Sequence, residues 1–232
     1  MYSDVFCKVY NEFGWNYFPE AFSEQLFAWL RKHHVTVKTS LDLACGTGIL
    51  CEILHAHGIK AAGMDLSEGM IEIAKSKTTE IEYEVANMIR YRPAKTFDLV
   101  TCTGDAINHI HDLDDVEQIF RNVCGYLNDG GHFIFDLLNK EYVAQGGPIA
   151  IDFNEDIRAE LMVTREKSDM TNLKITVYET GKPPFEENIR ERLHDPQTIC
   201  RLLETCGFQV IRCADHLLEG EHGTAWFFAA RK

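Results

Sequence analysis

Short apolar runs alternate with amphipathic stretches through the middle of the chain, from about Thr39 to Leu138. Each apolar run has the length of a buried strand, and the stretches between them repeat apolar residues at helical spacing. This alternation is typical of strand–helix–strand units that build a parallel sheet. The predicted strands are Ser40–Ala44, Ala61–Asp65, Ile81–Ala86, Asp98–Thr103 and Gly131–Leu138, and the predicted helices are Gly48–Ala56, Glu68–Ser76 and Leu113–Tyr126.

Two junctions in this region carry boundary signals. Ser67 precedes an acidic first turn, so we expect it to be the N-cap of the helix that begins at Glu68. The segment LNDGG, from Leu127 to Gly131, places turn-forming residues between a helix and an apolar run. We therefore expect the helix to stop there and a turn to lead into the next strand.

The pattern changes after Leu138, because four segments alternate charged and apolar residues at strand period. They predict a small antiparallel insertion with one solvated face. A helix from Pro196 to Cys206 follows, with Asp195 as its N-cap and Gly207 just past its end. The alternating segments are Ile149–Phe153, Ala159–Glu166, Leu173–Glu179 and Glu187–His194, and the late strands that would complete the first sheet are Phe208–Cys213 and Thr224–Ala230.

The segment before the first strand is rich in aromatic residues. Phe22 to Trp29 has the spacing of an amphipathic helix. The preceding VYNEFGWNYF, Val9 to Phe18, is too apolar for a loose tail and too irregular for a regular helix, so we expect it to fold over a ligand. The predicted domains are an N-terminal helical lid over 1–38, an α/β domain over 39–143 and 195–232, and a substrate-covering antiparallel insertion over 144–194.

The composition narrows the classes of partner. The chain has 232 residues, 45% of them hydrophobic, and a formal net charge of −13. This acidity disfavours a nucleic-acid partner, which is bound largely by Lys and Arg. The longest apolar runs, such as Gly223 to Ala230, are far below the roughly 20 residues of a membrane span. The N-terminus lacks the pattern of a secretory signal, so we expect a small-molecule partner, no membrane segment and a cytoplasmic location.

Eight cysteines are scattered through the sequence, mostly within apolar patterns and without a C-x-x-C pair. This arrangement predicts reduced core residues and disfavours disulfides or a structural zinc site.

The stretch LDLACGTGIL, Leu41 to Leu50, places small residues between a strand and a helix. Such a turn lets the backbone approach a ligand, and free N–H groups at the helix start favour an anionic group. About 20 residues later, Asp65 ends the second strand, where a carboxylate can accept hydrogen bonds from a ribose. No third glycine follows Gly46 and Gly48, which disfavours a pyrophosphate cofactor and a nicotinamide oxidoreductase. A purely structural role for the glycines and Asp65 stays open.

LDLACGTG resembles the first motif of the class I S-adenosylmethionine-dependent methyltransferases, with Asp42, Gly46 and Gly48 in place and Ala44 where the first glycine usually stands. IEYEVANMIRY resembles the family's third-strand motif, FDLVTCTGDAINHI its fourth-strand motif, and LNDGGHFIFDLLN the following turn and strand. The resemblance implies a Rossmann-like, seven-stranded α/β sheet with helices on both faces, and S-adenosylmethionine as cofactor.

The same resemblance implies roles for individual residues. The glycine turn would receive the methionine part of the cofactor, Asp42 would reach its ammonium group, and Asp65 would hold the ribose. Asn87 and the backbone of Met88 would contact the adenine, with the Asn87 carbonyl oxygen accepting from the amino group. The candidate cofactor-binding residues are Asp42, Ala44, Gly46, Gly48, Asp65, Leu66, Asn87, Met88, Thr103 and Tyr17.

DAINHI, Asp105 to Ile110, follows the fourth strand at the edge where α/β sheets bind ligands. It is similar to the corresponding stretch of glycine and sugar N-methyltransferases, so we expect Asp105, Asn108 and His109 to face the acceptor, with His109 as general base or anchor. Backbone-bonded and N-cap roles for His109 and Asp105 stay open. The aspartates after His111 fit a helix cap better than a metal site, and no metal is predicted.

Tyr10 and Tyr17 are the tyrosines of the aromatic N-terminal segment. In the small-molecule branch of the family an N-terminal tyrosine often borders the sulfonium or the methionine carboxylate, and an aromatic face suits a cation. We therefore place Tyr10 among the catalytic candidates and Tyr17 among the cofactor-binding candidates. Packing of these aromatics against the first helix is the simpler alternative. RERLHD, Arg190 to Asp195, is the part of the insertion expected to bear on the substrate.

The leading prediction is an S-adenosylmethionine-dependent methyltransferase for a small molecule, with an amine favoured over a hydroxyl. The acidic surface, the insertion and the missing N/D-P-P-Y/F motif disfavour an RNA or protein methyltransferase, which stays the alternative within the class. A non-catalytic nucleoside-binding module is the alternative from another class. The oligomeric state stays open.

Overall fold

Seven strands form a central mixed sheet in the computed structural model, which describes residues 6–7, 10–13, 17–138, 149–152, 154–167, 169–214 and 224–232. The strands are β1 (Thr39–Leu43), β2 (Lys60–Asp65), β3 (Glu82–Val85), β4 (Phe97–Cys102), β5 (Leu127–Leu138), β10 (Phe208–Ala214) and β11 (Thr224–Arg231). Their order is β10-β11-β5-β4-β1-β2-β3. The five strands from β5 to β3 are parallel, and β11 runs antiparallel to both of its neighbours.

This strand order fixes where a ligand can bind. From β1 the chain proceeds to β2 and β3 on one side, and then returns to β4 and β5 on the other. In an open α/β sheet, a crevice forms outside the carboxyl ends of the strands at such a reversal. The turns after β1 and β4 therefore lie side by side at one edge of the sheet.

Helices cover both faces of this sheet. They are α1 (Tyr17–Lys32), α2 (Ile49–Ala56), α3 (Glu68–Lys77), α4 (Leu113–Tyr126) and α5 (Pro196–Thr205). Apolar residues of α1, α2 and α3 pack with one face of the strands, and those of α4 and α5 pack with the other. The predicted α/β class, with a Rossmann-like sheet covered on both faces, is confirmed.

A second sheet has four antiparallel strands, β6 (Ile149–Asp152), β7 (Ile157–Lys167), β8 (Met170–Glu179) and β9 (Phe185–Arg192). It confirms the predicted antiparallel insertion. One face is buried, because Ala159, Ile175 and Ile189 pack with Phe6 and with Met70 of α3. The second sheet thus lies over the carboxyl edge of the first. The proposed domain boundaries stay predictions, and residues 139–148 lie outside the described residues.

Two predicted N-caps are confirmed. The Ser67 hydroxyl accepts a hydrogen bond from the backbone N–H of Met70 at 3.4 Å. The Asp195 carboxylate accepts one from the N–H of Thr198 at 2.9 Å, with Pro196 at the first helical position. These side chains satisfy N–H groups that have no partner within the helix.

The helix stop predicted at LNDGG is confirmed, because α4 ends at Tyr126, but the segment predicted as a turn belongs to a strand. Strand β5 begins at Leu127, directly after α4 ends at Tyr126, and Leu127 pairs with Phe97 of β4. The backbone irregularity is a register shift between Phe97 and Leu99, accompanied by a left-handed Gly130. Gly130 therefore allows the backbone of β5 to form a bulge at this point.

The N-terminal region also differs from the prediction. Helix α1 begins at Tyr17 and so includes the end of the aromatic segment, and a 3-10 helix, Tyr10–Phe13, precedes it. None of the helices in the described part of the chain has the length and apolarity to cross a bilayer.

Candidate active site

Three residues of the turn after β1 have a left-handed backbone, namely Ala44 at φ 55°, Gly46 at 54° and Gly48 at 84°. Residues with a Cβ avoid this region, so Ala44 is strained where the family pattern has glycine. A Cβ added at Gly46 would meet no atom within 4 Å, and Gly46 lies in the wall of a cavity. The missing side chain therefore leaves room for a ligand against the backbone.

Gly48 meets a different requirement. A Cβ at this position would lie 2.4 Å from the hydroxyl oxygen of Tyr83. That hydroxyl donates a hydrogen bond to the carbonyl of Gly48 at 3.2 Å. Gly48 is also the N-cap residue of α2, and it is not among the residues of the cavity wall. It therefore packs the turn against β3, and the cofactor role predicted for it is indirect at most.

The carboxylate of Asp65, at the end of β2, holds two backbone groups. Oδ2 accepts a hydrogen bond from the N–H of Gly46 at 3.0 Å, and Oδ1 accepts one from the N–H of Ser67 at 2.8 Å. Burial raises the pKa of Asp65, while these two bonds act in the opposite direction. Because a carboxylate has about four lone-pair sites, Asp65 can hold the turn and still accept from the hydroxyls of a ligand.

Asp42 lies beneath the same turn, with 3% of its surface exposed. The Thr101 hydroxyl on β4 donates a hydrogen bond to its Oδ1 at 2.6 Å. Burial raises the pKa of Asp42 to about 7. A buried carboxylate of this kind is stabilised by a neighbouring cation, and the ammonium group of a ligand on the turn would supply one.

A cavity of about 370 Å³ opens beside the turn and is covered by β9. Leu66, Met88 and Ile89 give one part of its wall an apolar character suited to a flat heterocycle. Asn87 lies beside them, but its Oδ1 already accepts the N–H of Ile89 at 2.9 Å, so one lone pair is left for an adenine amino group. The predicted residues that line the cavity are Tyr10, Ala44, Gly46, Asp65, Leu66, Asn87, Met88, Thr103 and His109.

His109 lines another part of the cavity, and two carboxyl groups that are not wall residues lie close to its ring. Its Nε2 lies 3.8 Å from Oδ1 of Asp105 and 3.8 Å from Oε1 of Glu191. Burial lowers the pKa of His109 to about 4, so its imidazole is neutral at pH 7. Burial, followed by the adjacent Glu191 carboxyl, raises the pKa of Asp105 well above its usual range, and burial raises that of Glu191 to about 7. The two acids therefore retain a proton near neutral pH.

Asp105, His109 and Glu191 also have the side-chain types of a metal site. One ligand atom each from Asp105, His109 and Glu191 lies within 4.8 Å of the others. Two carboxylates and an imidazole are ligands that divalent metals accept. The absence of a metal, expected from the sequence, stays a prediction.

The backbone of Asp105 has a strained conformation. It is left-handed at φ 53°, directly after the left-handed Gly104, and its N–H donates to Oδ2 of Asp136 at 3.0 Å. Its side chain makes no capping hydrogen bond to the 3-10 helix Ala106–His109 that follows. Strain of this kind persists where surrounding structure imposes it and is frequent at functional sites. The geometry therefore gives no support to the N-cap role.

Asn108 has a structural role instead of the predicted contact with the acceptor. Its side chain is fully buried, with Nδ2 donating to the carbonyl of Arg192 at 2.6 Å and Oδ1 accepting from the N–H of Leu138 at 2.9 Å. A ring nitrogen of His111 also lies 3.0 Å from the carbonyl oxygen of Arg190. The segment after β4 is thus bonded to the end of β9, and Asn108 positions its neighbour His109.

The N-terminal segment closes one side of the cavity. Phe6 packs between α3 and the second sheet, and the Thr47 hydroxyl of the glycine turn donates to Oδ1 of Asn11 at 2.9 Å. Tyr10 lines the cavity, and burial, followed by the charges of Asp105 and Asp65, raises the pKa of its phenol.

Tyr17 does not share this position. Its surface is 70% exposed at the start of α1, and it is absent from the cavity wall. The exposed position of Tyr17 in the first turn of α1 therefore gives no support to the predicted cofactor contact.

Glu191 is not among the site residues predicted from the sequence. In β9, Ile189 and Glu191 are buried and Arg190 between them is exposed, and Leu193, directly after the strand, is buried as well. An acid at an inward position of an alternating strand is a signal, because unpaired carboxylates are rarely buried. The segment RERLHD was expected to bear on the substrate, but Glu191 within it was not predicted as a site residue.

Comparison with known proteins agrees with the motifs. Residues 41–131 match the family model described as "Methyltransferase domain". A dTDP-4-amino-2,3,4,6-tetradeoxy-D-glucose N,N-dimethyltransferase of Saccharopolyspora spinosa is 27% identical over 130 residues, covering 56% of this chain and 51% of the relative. A ubiquinone biosynthesis O-methyltransferase of Coxiella burnetii is 30% identical over 112 residues, 46% of either protein. The chain thus spans about half the length of these curated relatives.

Among solved structures, the amino pentose methyltransferase CalS10 of Micromonospora echinaspora, determined with S-adenosylmethionine bound, has a TM-score of 0.81 with this chain. The two are 19% identical, with 100% of this chain and 98% of that one covered. This likeness shows the fold.

The residues present fit S-adenosylmethionine. Gly46 leaves space on the turn, Asp65 has a carboxylate in the cavity wall that can accept from hydroxyl groups, and the buried Asp42 has the chemistry to balance an ammonium group. The roles predicted for these residues stay predictions, and the fold and the family model both indicate a methyltransferase domain. Residues 41–131 are therefore identified as part of a class I methyltransferase domain, and S-adenosylmethionine is the cofactor of that domain.

Proposed function

We propose that the protein transfers the methyl group of S-adenosylmethionine to an amine nitrogen of a small molecule. The cofactor supplies a methyl group on a positively charged sulfur. The protein must align the acceptor with that carbon, exclude water and manage the acceptor's proton. Asp65 and Gly46 fix the cofactor end of the cavity, and His109 marks the acceptor end.

The observation that carries the proposal is His109 in the cavity wall, with two carboxyl groups close to its ring. Its Nε2 lies 3.8 Å from Asp105 and 3.8 Å from Glu191, which are not themselves wall residues, and residues of β9 and Tyr10 complete this part of the wall. At about 370 Å³ the cavity has the size of a small-molecule site. Carboxyl groups favour a cationic acceptor, which an amine is near neutral pH and a hydroxyl compound is not.

A hydroxyl acceptor is the second candidate, and neutral His109 is the observation in its favour. An imidazole with a pKa of about 4 is free to accept a proton at neutral pH, although its basicity is low. RNA, protein and a non-catalytic binding role are less compatible with a covered cavity under an acidic surface.

A radiolabel assay tests the proposal. Purified protein with methyl-tritiated S-adenosylmethionine is offered primary and secondary amines, including glycine, glucosamine and dTDP-4-amino-2,3,4,6-tetradeoxy-D-glucose. Hydroxyl counterparts, total RNA and total protein are assayed in parallel. We expect label in amines only. Label confined to hydroxyl compounds or macromolecules, or cofactor binding without any transfer, would overturn the proposal.

A further inference from the structure

We propose that the paired carboxyl groups of Asp105 and Glu191 bind the acceptor as its ammonium ion and take the proton that leaves its nitrogen. The inference rests on the proposed amine methylation and deepens it, because it names the protonation state of the acceptor and the residues that select it. Glu191 becomes a catalytic and specificity-determining residue supplied by the second sheet.

The pair exists only because two distant segments meet. Asp105 comes from the turn after β4 and Glu191 from β9, and the bonds from Asn108 to Arg192 and Leu138 hold those segments together. The Glu191 side chain is 7% exposed, whereas those of Asp105 and His109 are 36% and 32% exposed. Of these three residues only His109 is in the cavity wall, so an acceptor would meet the two carboxyl groups at the edge of the wall beside His109, where Asp105 is the more exposed of the two.

Among the described residues, the charged groups that act most strongly on this pair are themselves acidic. From β5, the Asp136 carboxylate acts on Glu191 and raises its pKa further. From the N-terminal segment comes the phenol of Tyr10, and His109 is neutral.

The flanking residues of β9 and the nearby histidine have other contacts. Arg190 is paired with Glu166, and Arg192 lies 3.3 Å from Asp169. His111 is bonded to the carbonyl of Arg190. A cationic ligand would therefore relieve the repulsion between the acids.

The spacing favours an ammonium ion over a metal. The two distances from His109 Nε2 to the carboxylate oxygens are both 3.8 Å. With metal–ligand distances near 2.1 Å, adjacent ligands are about 3.0 Å apart around an octahedral Mg²⁺ ion and about 3.4 Å apart around a tetrahedral Zn²⁺ ion, both shorter than the observed spacing. An ammonium nitrogen accepts wider spacing, since its hydrogen bonds to oxygen are about 2.8 Å long and diverge.

The chemistry balances with these residues alone. The singly protonated pair has one carboxylate able to accept a hydrogen bond from the acceptor R–NH₃⁺ and then its proton, which leaves R–NH₂. The nitrogen lone pair forms the new N–C bond while the S–C bond breaks with its electron pair on sulfur. The product is R–NH₂–CH₃⁺ with neutral S-adenosylhomocysteine, and the carboxyl proton returns to solvent after release.

The test compares Glu191→Gln and Asp105→Asn with the wild type. Glu186→Gln is the matched control, since Glu186 lies on the same strand in an exposed pair with Lys174. The probe is the amine most rapidly methylated in the acceptor assay. Two quantities are measured: kcat/KM for the amine, and the calorimetric affinity of the amine for protein loaded with S-adenosylhomocysteine. Both are measured from about pH 5.5 to about pH 9, a range that spans the Glu191 pKa of about 7.

We expect Glu191→Gln to lower both readouts about tenfold or more and to remove the acid limb of the wild-type pH profile, while cofactor affinity changes little. Asp105→Asn should weaken amine binding similarly, and its amide tolerates the left-handed backbone. Glu186→Gln should resemble the wild type.

Three outcomes decide against the inference in distinguishable ways. If amines are methylated but Glu191→Gln keeps wild-type affinity and pH profile, the inference is wrong and the proposed function stands. If activity is lost on dialysis with EDTA and restored by Mg²⁺ or Mn²⁺, the trio is a metal site. If the wild type methylates no amine, the proposed function falls first and the inference with it.

Discussion

The Asp65 carboxylate accepts a hydrogen bond from the backbone N–H of Gly46 at 3.0 Å, across 19 residues of sequence. The residue expected to hold the ribose therefore also holds the turn on which the methionine part would lie. The two halves of the cofactor site are coupled, since one side chain serves both.

Asp65→Ala is expected to weaken S-adenosylmethionine binding by about 1–3 kcal/mol, because the ribose and the N–H of Gly46 both lose an acceptor. Isothermal titration calorimetry measures the change. Asp129→Ala is the control, because Asp129 is highly exposed and its partner is Arg231. Unchanged affinity in Asp65→Ala would refute the cofactor placement.

Alanine at the two glycines of the turn should have different effects. Gly46→Ala should cost about 1 kcal/mol of stability from its left-handed backbone but reduce cofactor binding at least about tenfold, because the new methyl group enters the cavity. Gly48→Ala should cost about 2 kcal/mol or more, because its Cβ also collides with Tyr83.

Thermal unfolding with and without S-adenosylhomocysteine separates the two variants. Adding Tyr83→Phe to Gly48→Ala should recover part of the loss, since it removes the closest contact. Equal stability of the two single variants would contradict the assignment.

Asp42 should make the unliganded protein less stable as pH rises. Its pKa is about 7 in the folded state and near 4 when unfolded, so the folded state binds the proton more tightly. The contribution of Asp42 protonation to the free energy of unfolding is fully present below about pH 4 and is lost as the pH rises through about 7. Asp42→Asn should flatten this dependence, by an amount on the order of a few kcal/mol.

The measurement is the difference in unfolding free energy between wild type and Asp42→Asn from pH 4.5 to 8. Other acids with raised pKa values cancel in that difference. A constant difference across the range would show that Asp42 does not titrate as described.

Asn108→Ala should separate acceptor chemistry from cofactor binding. It removes the bonds to Arg192 and Leu138 from a buried position, at a cost of about 1–3 kcal/mol in stability. We expect lower kcat/KM for the acceptor with a nearly unchanged Kd for the cofactor, because His109 loses its support. Asn172→Ala, an exposed amide bonded to Asn188, is the control.

Deleting residues 1–13 should abolish methyl transfer. The deletion removes Phe6 from between α3 and the second sheet, and it removes Asn11 from Thr47. The central sheet should still form, because neither of the two apolar clusters on its faces includes a described residue of this segment. Circular dichroism and turnover are the measurements, and unchanged turnover would reject the covering role.

Much of the fold and of the cofactor end could be predicted from the sequence because it rests on local signals. The period of apolar residues gives the strands and helices, and Ser67 and Asp195 cap helices within three residues of themselves. Gly46 and Asp65 occupy motif positions whose spacing is set by one strand–helix–strand unit. The misplaced turn at LNDGG shows the limit, because pairing of Leu127 with Phe97 depends on a neighbouring strand.

The acceptor end was decided by tertiary structure. Asp105 and Glu191 are 86 residues apart by their numbers, and only the crossing of β9 over the carboxyl edge of the sheet brings both to His109. The same crossing allows Asn108 to bond with Arg192 and so to hold the segment that carries His109. The side chain of Tyr17, at the start of α1, is exposed to solvent. Local pattern fixes what a segment becomes, whereas the burial and pairing of its side chains depend on which distant segment packs against it.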